Sequence, residues 1–207
     1  TNNLSNDSIN NAIAKAETIS KNTQPDECQG LPDEDYTKVD SKDLDIYFPQ
    51  DLDIASIIEL ANECEDTAFK TDKRIANSEG SSFTYSKNFN SIMNTKGAYG
   101  SFKSTDYSLS CIVLAEENKL MERDYWYSSS RDYSNLQSSQ NIGRIAANRA
   151  ATRLGAKTIS TRVCPVLFSP EMASSLISNF LSAINGTAIY KKSSFLLNKI
   201  NNKIFPD

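Results

Sequence analysis

The fold is decided by residues 107–127, which read YSLSCIVLAEENKLMERDYWY. Segments 107–115 and 119–127 are rich in aromatic and β-branched residues, which favour β-strands. The three residues between them, Glu116-Glu-Asn118, are only long enough for a turn. Two strands joined by so short a connection pair antiparallel.

The same composition extends toward the amino terminus. Further strand-like segments lie at 82–92 and 97–103, and the connections at 94–97 and 104–106 are again short. Because each connection is a turn, successive strands must be neighbours. The sequence therefore predicts a four-stranded antiparallel meander within residues 73–127.

Two helices are predicted before the meander, at residues 5–21 and 53–71, the second with Asp53 as its cap. The segment between them, 22–42, is rich in proline and acidic residues and predicts a loop without the alternating ligands of a calcium loop. The apolar positions that define the buried sides of the two helices are Ile9, Ala12, Ile13, Ala16 and Ile19, then Ile54, Ile57, Ile58, Ala61, Cys64 and Ala68.

After the meander the helical period returns at Ser138, and Gly155 is the expected helix stop. A strand-like segment at 157–168, a helix at 169–184 and a loop at 185–186 follow. Helices before and after an uninterrupted antiparallel sheet predict an α+β fold.

We divide the chain into residues 1–130, with the first two helices and the meander, and residues 131–207, a helix-strand-helix segment. The chain begins with Thr1 and no terminating element precedes its end, so we expect it to be an excised piece of a longer protein.

Composition excludes several classes of protein. No apolar run approaches the roughly 20 residues that span a bilayer, so no membrane association is expected. Cys28, Cys64, Cys111 and Cys164 form no Cys-x-x-Cys pair, which indicates neither a zinc ribbon nor a redox dithiol, and reduced thiols in a cytosolic protein are expected.

Charge is distributed unevenly along the chain. Residues 1–70 carry 16 acidic and 5 basic side chains, whereas residues 71–207 carry 10 acidic and 17 basic ones. This asymmetry predicts electrostatic complementarity within the protein or with a partner subunit. Direct binding to nucleic acid is not expected, because the basic residues are scattered singly.

Catalytic chemistry is restricted because the chain contains no histidine. It supplies neither an imidazole base nor an imidazole metal ligand, and Glu116-Glu117 is expected to be a solvated turn. The strand carrying Tyr125, Trp126 and Tyr127 could line a peptide groove or form an aromatic ladder. We expect Arg149 and Arg153 to lie on a solvated helix face.

Several motifs, in order, resemble one family. They are Ile75-Ala-Asn-Ser-Glu-Gly80, Leu114-Ala-Glu-Glu-Asn118, Met121-Glu-Arg-Asp-Tyr125, the helix end at 149–156, Cys164-Pro-Val-Leu-Phe168 and residues 186–197. Together they closely resemble the PmbA (TldE) branch of the TldD/PmbA family. The resemblance implies that this chain spans the later part of the amino-terminal domain and the start of the carboxy-terminal domain.

The resemblance also implies a function. Members pair with a TldD-like subunit in a cytoplasmic bacterial zinc metallopeptidase that processes small peptides and unfolded chains, and the family carries an older label as a modulator of DNA gyrase. TldD holds zinc with a His-Glu-x-x-x-His helix. Laid on this chain, that helix places Glu171 at the glutamate and Pro170 and Ser175 at the histidines.

These residues predict a chain without catalytic or metal-binding residues of its own, with zinc in the partner, because zinc hydrolysis needs imidazole or thiolate donors. Pro170 and Glu171 suit the first turn of a helix that Ser169 caps. Two alternatives are an interaction module acting on DNA gyrase and an active peptidase whose catalytic residues lie outside residues 1–207.

Overall fold

The structure is a computed structural model that describes residues 2–26, 30–31 and 43–204. Cys28 and residues 32–42 of the predicted acidic loop lie outside these ranges. The chain divides into two compact units, residues 1–156 and 157–207. In the described residues, no helix is both long and apolar enough to cross a membrane.

In its described residues, the first unit contains three α-helices, three strands and a short 3-10 helix at Tyr133–Asn135. The helices are α1 (Asn6–Asn22), α2 (Ile54–Thr71) and α3 (Ser139–Arg153), and the strands are β1 (Ile75–Met93), β2 (Tyr99–Glu117) and β3 (Leu120–Ser130). The strands form an antiparallel sheet of order β1-β2-β3. The α+β class and the flanking helices are therefore confirmed.

The meander has three strands rather than four, because the turn predicted at 104–106 is wrong. Ser104 and Thr105 are buried within the continuous strand β2. Thr105 Oγ1 donates to the carbonyl of Arg131 at 2.7 Å and accepts from the N–H of Phe48 at 2.9 Å. These tertiary bonds hold in an extended conformation three residues whose types favour turns.

The sheet has one covered face. Leu109, Cys111, Val113 and Ala115 of β2 alternate along the strand and are buried. They pack with Cys64 and Ala68 of α2 and with the small residues of α3 in one hydrophobic cluster. Two helices on one face of an antiparallel sheet leave the opposite face in contact with solvent.

The helix α3 packs so closely on α2 because Gly143 lies at the crossing. A Cβ atom added at Gly143 would be 2.1 Å from the backbone oxygen of Cys64. The helix ends as expected, since Gly155 adopts a φ of 75°. Because α3 covers this sheet, it belongs to the first unit. The division at residue 130, which the sequence suggests and which places α3 in the second segment, stays a prediction.

The second unit contains α4 (Pro170–Ile184) and α5 (Gly186–Tyr190). The helix predicted at 169–184 is therefore confirmed within one residue. The strand predicted at 157–168 is wrong. The loop predicted at 185–186 is reduced to Asn185, which caps α5, because Gly186 is already the first residue of that helix. Residues 157–168 pair with no strand in the described chain and are exposed.

Candidate functional site

The aromatic residues of β3 divide between the two faces of the sheet. Tyr125 and Tyr127 lie on the uncovered face, 48% and 46% exposed, with ring centroids 6.3 Å apart. Their cross-strand neighbours on β2 are Ile112 and Ser110. The two rings thus form a shallow, partly apolar surface. The peptide-groove role that the sequence suggests for this strand stays a prediction.

Trp126 lies on the other face, where it belongs to the packing of α3. Its Nε1–H donates to Oε1 of Gln137 at 3.2 Å, and the guanidinium of Arg149 lies 5.0 Å from the ring centroid. The ring also packs against the hydrophobic cluster. Trp126 therefore lies on the opposite face from the two tyrosines, as expected from the alternation of side chains along a strand, although its ring centroid is 6.4 Å from that of Tyr127.

An acidic residue of β3 organises the neighbouring helix. Asp124 is only 8% exposed and its Oδ1 lies 3.3 Å from Nε of Arg149, while Oδ2 lies 3.5 Å from Nη1 of Arg153. Arg153 also contacts Glu122 at 3.5 Å. The expectation that the two arginines form a purely solvated face was wrong. Glu122 and Asp124 are two apart on β3 and so share a face, and they lie opposite Arg149 and Arg153, which are four apart on α3 and so are neighbours on the helix surface.

Asp124 also protects the edge of the sheet. Its Oδ1 accepts a 2.8 Å hydrogen bond from the backbone N–H of Tyr125. β3 has no strand on its outer side in the described chain, and an unpaired edge invites pairing with another chain. A peptide that added a strand here would have to break the bond at Tyr125.

An ion pair borders the tyrosine surface. Arg123 Nε lies 2.6 Å from Glu79 Oε1, which joins the outer strands across β2. The hydrogen bond from Arg123 to Glu79 raises the pKa of Arg123 above its usual value, so the guanidinium stays charged. Glu116 and Glu117 lie at the β2–β3 turn and are exposed, as predicted for a solvated turn.

The positions laid on the zinc motif lie at the start of α4. Pro170 is the first helical residue and Glu171 lies in the first turn, in accordance with their expected helix-start roles. Ser169 occupies the cap position, but its side chain makes no capping hydrogen bond. The hydroxyl of Ser175 donates to the carbonyl of Met172 at 2.6 Å.

These residues do not fit a zinc ion. Pro170 has no donor atom, and the Ser175 hydroxyl is engaged by its own helix. Among the residues that the structure describes, no three histidine, cysteine, aspartate or glutamate side chains converge in a way that could hold a metal. A zinc peptidase needs three protein ligands around the ion, and α4 does not supply them.

Two cysteines are part of the core. Cys64 and Cys111 are fully buried between α2 and β2. Contact with the Cys111 thiol, followed by burial, raises the pKa of Cys64 above its usual value. Cys64 is therefore a protonated, apolar packing group at neutral pH, as expected for a free buried thiol. Cys164 is exposed.

Two family models match the chain. The PmbA/TldA metallopeptidase central domain matches residues 47–154, and the C-terminal domain of the same family matches residues 161–207. The first match contains α2, the whole sheet and α3. The resemblance had implied an amino-terminal domain for this part, and the match identifies it as the central domain.

Known relatives also belong to the PmbA metalloproteases. The chain is 39% identical over 207 residues to a metalloprotease PmbA homologue of Haemophilus influenzae, covering 100% of this chain and 46% of that protein. It is 38% identical over 204 residues to metalloprotease PmbA of Escherichia coli O157:H7, covering 99% and 45%. The chain therefore spans about half the length of these relatives.

Two solved structures share the fold. A Thermotoga maritima protein described as a candidate modulator of a DNA gyrase superposes with a TM-score of 0.71 at 22% identity, over 78% of this chain and 38% of that one. TldE from Thermococcus kodakarensis superposes with a TM-score of 0.57 at 17% identity, over 93% and 43%. At these identities the similarity establishes the fold alone.

Proposed function

Because this chain belongs to the PmbA/TldD metallopeptidase family, we propose that it is part of a PmbA/TldE-like subunit of a TldD/TldE-type zinc metallopeptidase complex. The complex works in the cytoplasm on small peptides and unfolded chains. The zinc ion is bound by a TldD-like partner, and this subunit shapes the complex without holding the metal.

The donor chemistry of α4 is the observation that supports this division of labour. The chain contains no histidine, and the helix that resembles the zinc motif presents proline, glutamate and serine. A catalytic zinc ion that activates water is held by three protein ligands, and this helix offers a single carboxylate. We therefore assign both the metal ligands and the general base to the partner.

The uncovered face of β3 is the surface we assign to peptide substrate. Tyr125 and Tyr127 offer two exposed rings beside Ile112, and backbone hydrogen bonds of the sheet hold them in place. Since Asp124 occupies the Tyr125 N–H, the peptide contacts the face of the strand rather than extending the sheet at its edge. Aromatic rings bind extended peptides with little sequence selectivity.

Copurification and assays of each subunit test the assignment. The full-length protein is expressed with a His-Glu-x-x-x-His partner, and zinc content and peptidase activity are measured for each subunit and for the complex. We expect one zinc ion in the partner, none in this subunit and activity only in the complex. Stoichiometric zinc in this subunit alone would contradict the proposal.

The peptide surface is tested by a double substitution in the complex, Tyr125→Ser with Tyr127→Ser. KM for a peptide substrate should rise about fivefold to tenfold while kcat stays unchanged, because the rings contribute binding rather than chemistry. Tyr99→Ser is the matched control, since Tyr99 is also exposed, at 61%, but lies near the β1–β2 turn. Equal effects of both changes would remove the surface from the proposal.

A second candidate is an interaction module that modulates DNA gyrase without a proteolytic role. The observation in its favour is the fold shared with the Thermotoga maritima protein. The basic surplus of residues 71–207 suits an acidic protein surface. Salt-sensitive binding to gyrase in the absence of a TldD-like subunit, with no peptidase activity when both are present, would favour this candidate.

A further inference from the structure

The outward side of α2 forms one wall of a groove. A cavity of about 760 Å³ lies along the helix, and Tyr133 lines it from outside α2. The connection between β3 and α3, from Tyr133 to Gln140, forms the opposite wall at the inner end of the groove. A second cavity of about 360 Å³ continues it and shares Leu60, Glu63 and Tyr133 with the first. The groove thus runs along the helix and under the connection.

Apolar side chains form its floor and its lip. Leu60, Phe83 and Leu109 lie at the inner end, where the groove meets the hydrophobic cluster. Ile58 lines the outer part and is 54% exposed, and Ile54, one turn earlier, is 73% exposed. The helical spacing predicted that both isoleucines would be buried, whereas the described residues of the first unit leave them largely uncovered.

Acidic groups dominate the charge of the groove. Glu59, Glu63 and Asp66 line it, against one basic group, Lys70, which lies 4.0 Å from Asp66. The Glu63 carboxylate is held in place by hydrogen bonds from Ser139 and Gln140. An occupant must therefore offer apolar side chains for the floor and lip and positive charge for the rim.

We propose that this groove binds a basic, amphipathic segment of the partner subunit. The inference rests on the proposed function, since it assigns a contact within the same complex. Both walls lie inside residues 47–154, the part of the chain that the central-domain model matches. An amphipathic segment laid into an apolar groove with a complementary charged rim is a common mode of protein recognition.

Charge reversal tests the rim. The full-length Glu59→Lys/Asp66→Lys variant is titrated with the TldD-like partner, and Kd is measured at several salt concentrations. We expect Kd to rise about tenfold or more at low salt, with a weaker salt dependence than that of the unmodified subunit. Glu116→Lys/Glu117→Lys is the matched control, because it makes the same charge change at the exposed β2–β3 turn and should leave Kd unchanged.

The apolar lip is tested independently of charge. Ile58→Ser should raise Kd severalfold at every salt concentration, since it removes apolar contact area. Leu120→Ser is its control, because Leu120 is 55% exposed at the β2–β3 turn. Circular dichroism of each variant before titration verifies that loss of binding does not come from loss of folding.

Three outcomes overturn the inference. A complex that forms with unchanged Kd for both groove variants would leave the proposed function standing and remove the groove from the interface. Lower thermal stability of the isolated full-length variants, with unchanged association, would show that the subunit's own chain covers the groove. Absence of any complex with the unmodified subunit would remove both this inference and the proposed function.

Discussion

The helices α3 and α4 are both 15 residues long, but the helix with fewer large apolar side chains, α3, is the more deeply buried. α3 has only two large aliphatic side chains, Ile142 and Ile145, yet seven of its residues are buried. α4 carries six large apolar side chains, yet only Ala183 is buried. Helix burial is therefore set by the neighbour that a helix meets, and small residues permit the closest approach.

The physical origin of the difference lies in what each helix contacts. α3 packs its alanines and Gly143 against α2 and the sheet, so one side of the helix is in close contact with other elements. α4 faces only a short stretch of chain in its own unit, and Met172, Leu176, Ile177, Leu181 and Ile184 stay largely exposed. The following changes test whether burial, rather than residue type, determines stability in the two units.

The largest effect is expected from Gly143→Ala. The new Cβ would lie 2.1 Å from the Cys64 oxygen, so α2 and α3 would have to separate, at a cost of about 3–5 kcal/mol. Gly186→Ala is the matched control in the second unit, because no atom lies within 4 Å of its added Cβ. The free energy of unfolding in urea measures both, and similar losses would mean that the crossing at Gly143 is looser than described.

A second pair of changes compares isoleucines directly. Ile142→Ala should cost about 2–4 kcal/mol of unfolding free energy, because Ile142 is fully buried and its removal leaves a cavity. Ile177→Ala should cost at most about 1 kcal/mol, because Ile177 is 58% exposed. Equal losses of unfolding free energy in the full-length protein would show that residues outside 1–207 cover Ile177. The difference in burial between α3 and α4 would then be limited to residues 1–207.

Much of the fold follows from periodicity, and the exceptions have local causes. α1, α2 and α4 begin within one residue of the predicted positions because caps and apolar spacing are local signals. Burial is not local: Ile54 and Ile58 have the spacing of a core face but are 73% and 54% exposed. The partners of Thr105, Phe48 and Arg131, are distant in sequence, so no local pattern reports them.

The candidate site was predictable only in part. Two exposed tyrosines two apart on a strand must share a face, so the pairing of Tyr125 and Tyr127 follows from the sequence. The contact of Asp124 with Arg149 and Arg153 requires knowing that α3 lies over β3, which no spacing within either element reveals. The absence of histidine, by contrast, limits the chemistry without any structure.

Asp124→Asn tests the charge network that joins α3 to β3. The buried carboxylate accepts hydrogen bonds from Arg149 and the Tyr125 N–H and forms an ion pair with Arg153, so neutralising it should cost about 1–3 kcal/mol of unfolding free energy. Glu171→Gln in α4 is the comparison, since an exposed acid in the first turn contributes at most about 1 kcal/mol. A larger loss at Glu171 than at Asp124 would mean that burial of the carboxylate does not decide the size of the effect.

The smallest change in unfolding free energy is expected at Asp72, a charged residue at the surface of the first unit. Hydrogen bonds from the Arg74 side chain, 2.7 Å away, and from its backbone lower the pKa of Asp72 from 3.8 to about 2. A carboxyl whose folded pKa lies below its unfolded value contributes stability at pH values above 3.8, and this contribution is lost as the pH falls toward 2.

Since Asp72 and Arg74 lie at the surface, the contribution is screened and should stay below about 1 kcal/mol. Urea unfolding at pH 6 should therefore show Asp72→Asn slightly less stable than the unmodified protein, and at pH 2 the difference should shrink. Asp66→Asn, which removes an exposed carboxylate 4.0 Å from Lys70, should show a smaller change at either pH. A difference at Asp72 that persisted at pH 2 would mean that its hydrogen bonds, rather than its charge, stabilise the end of α2.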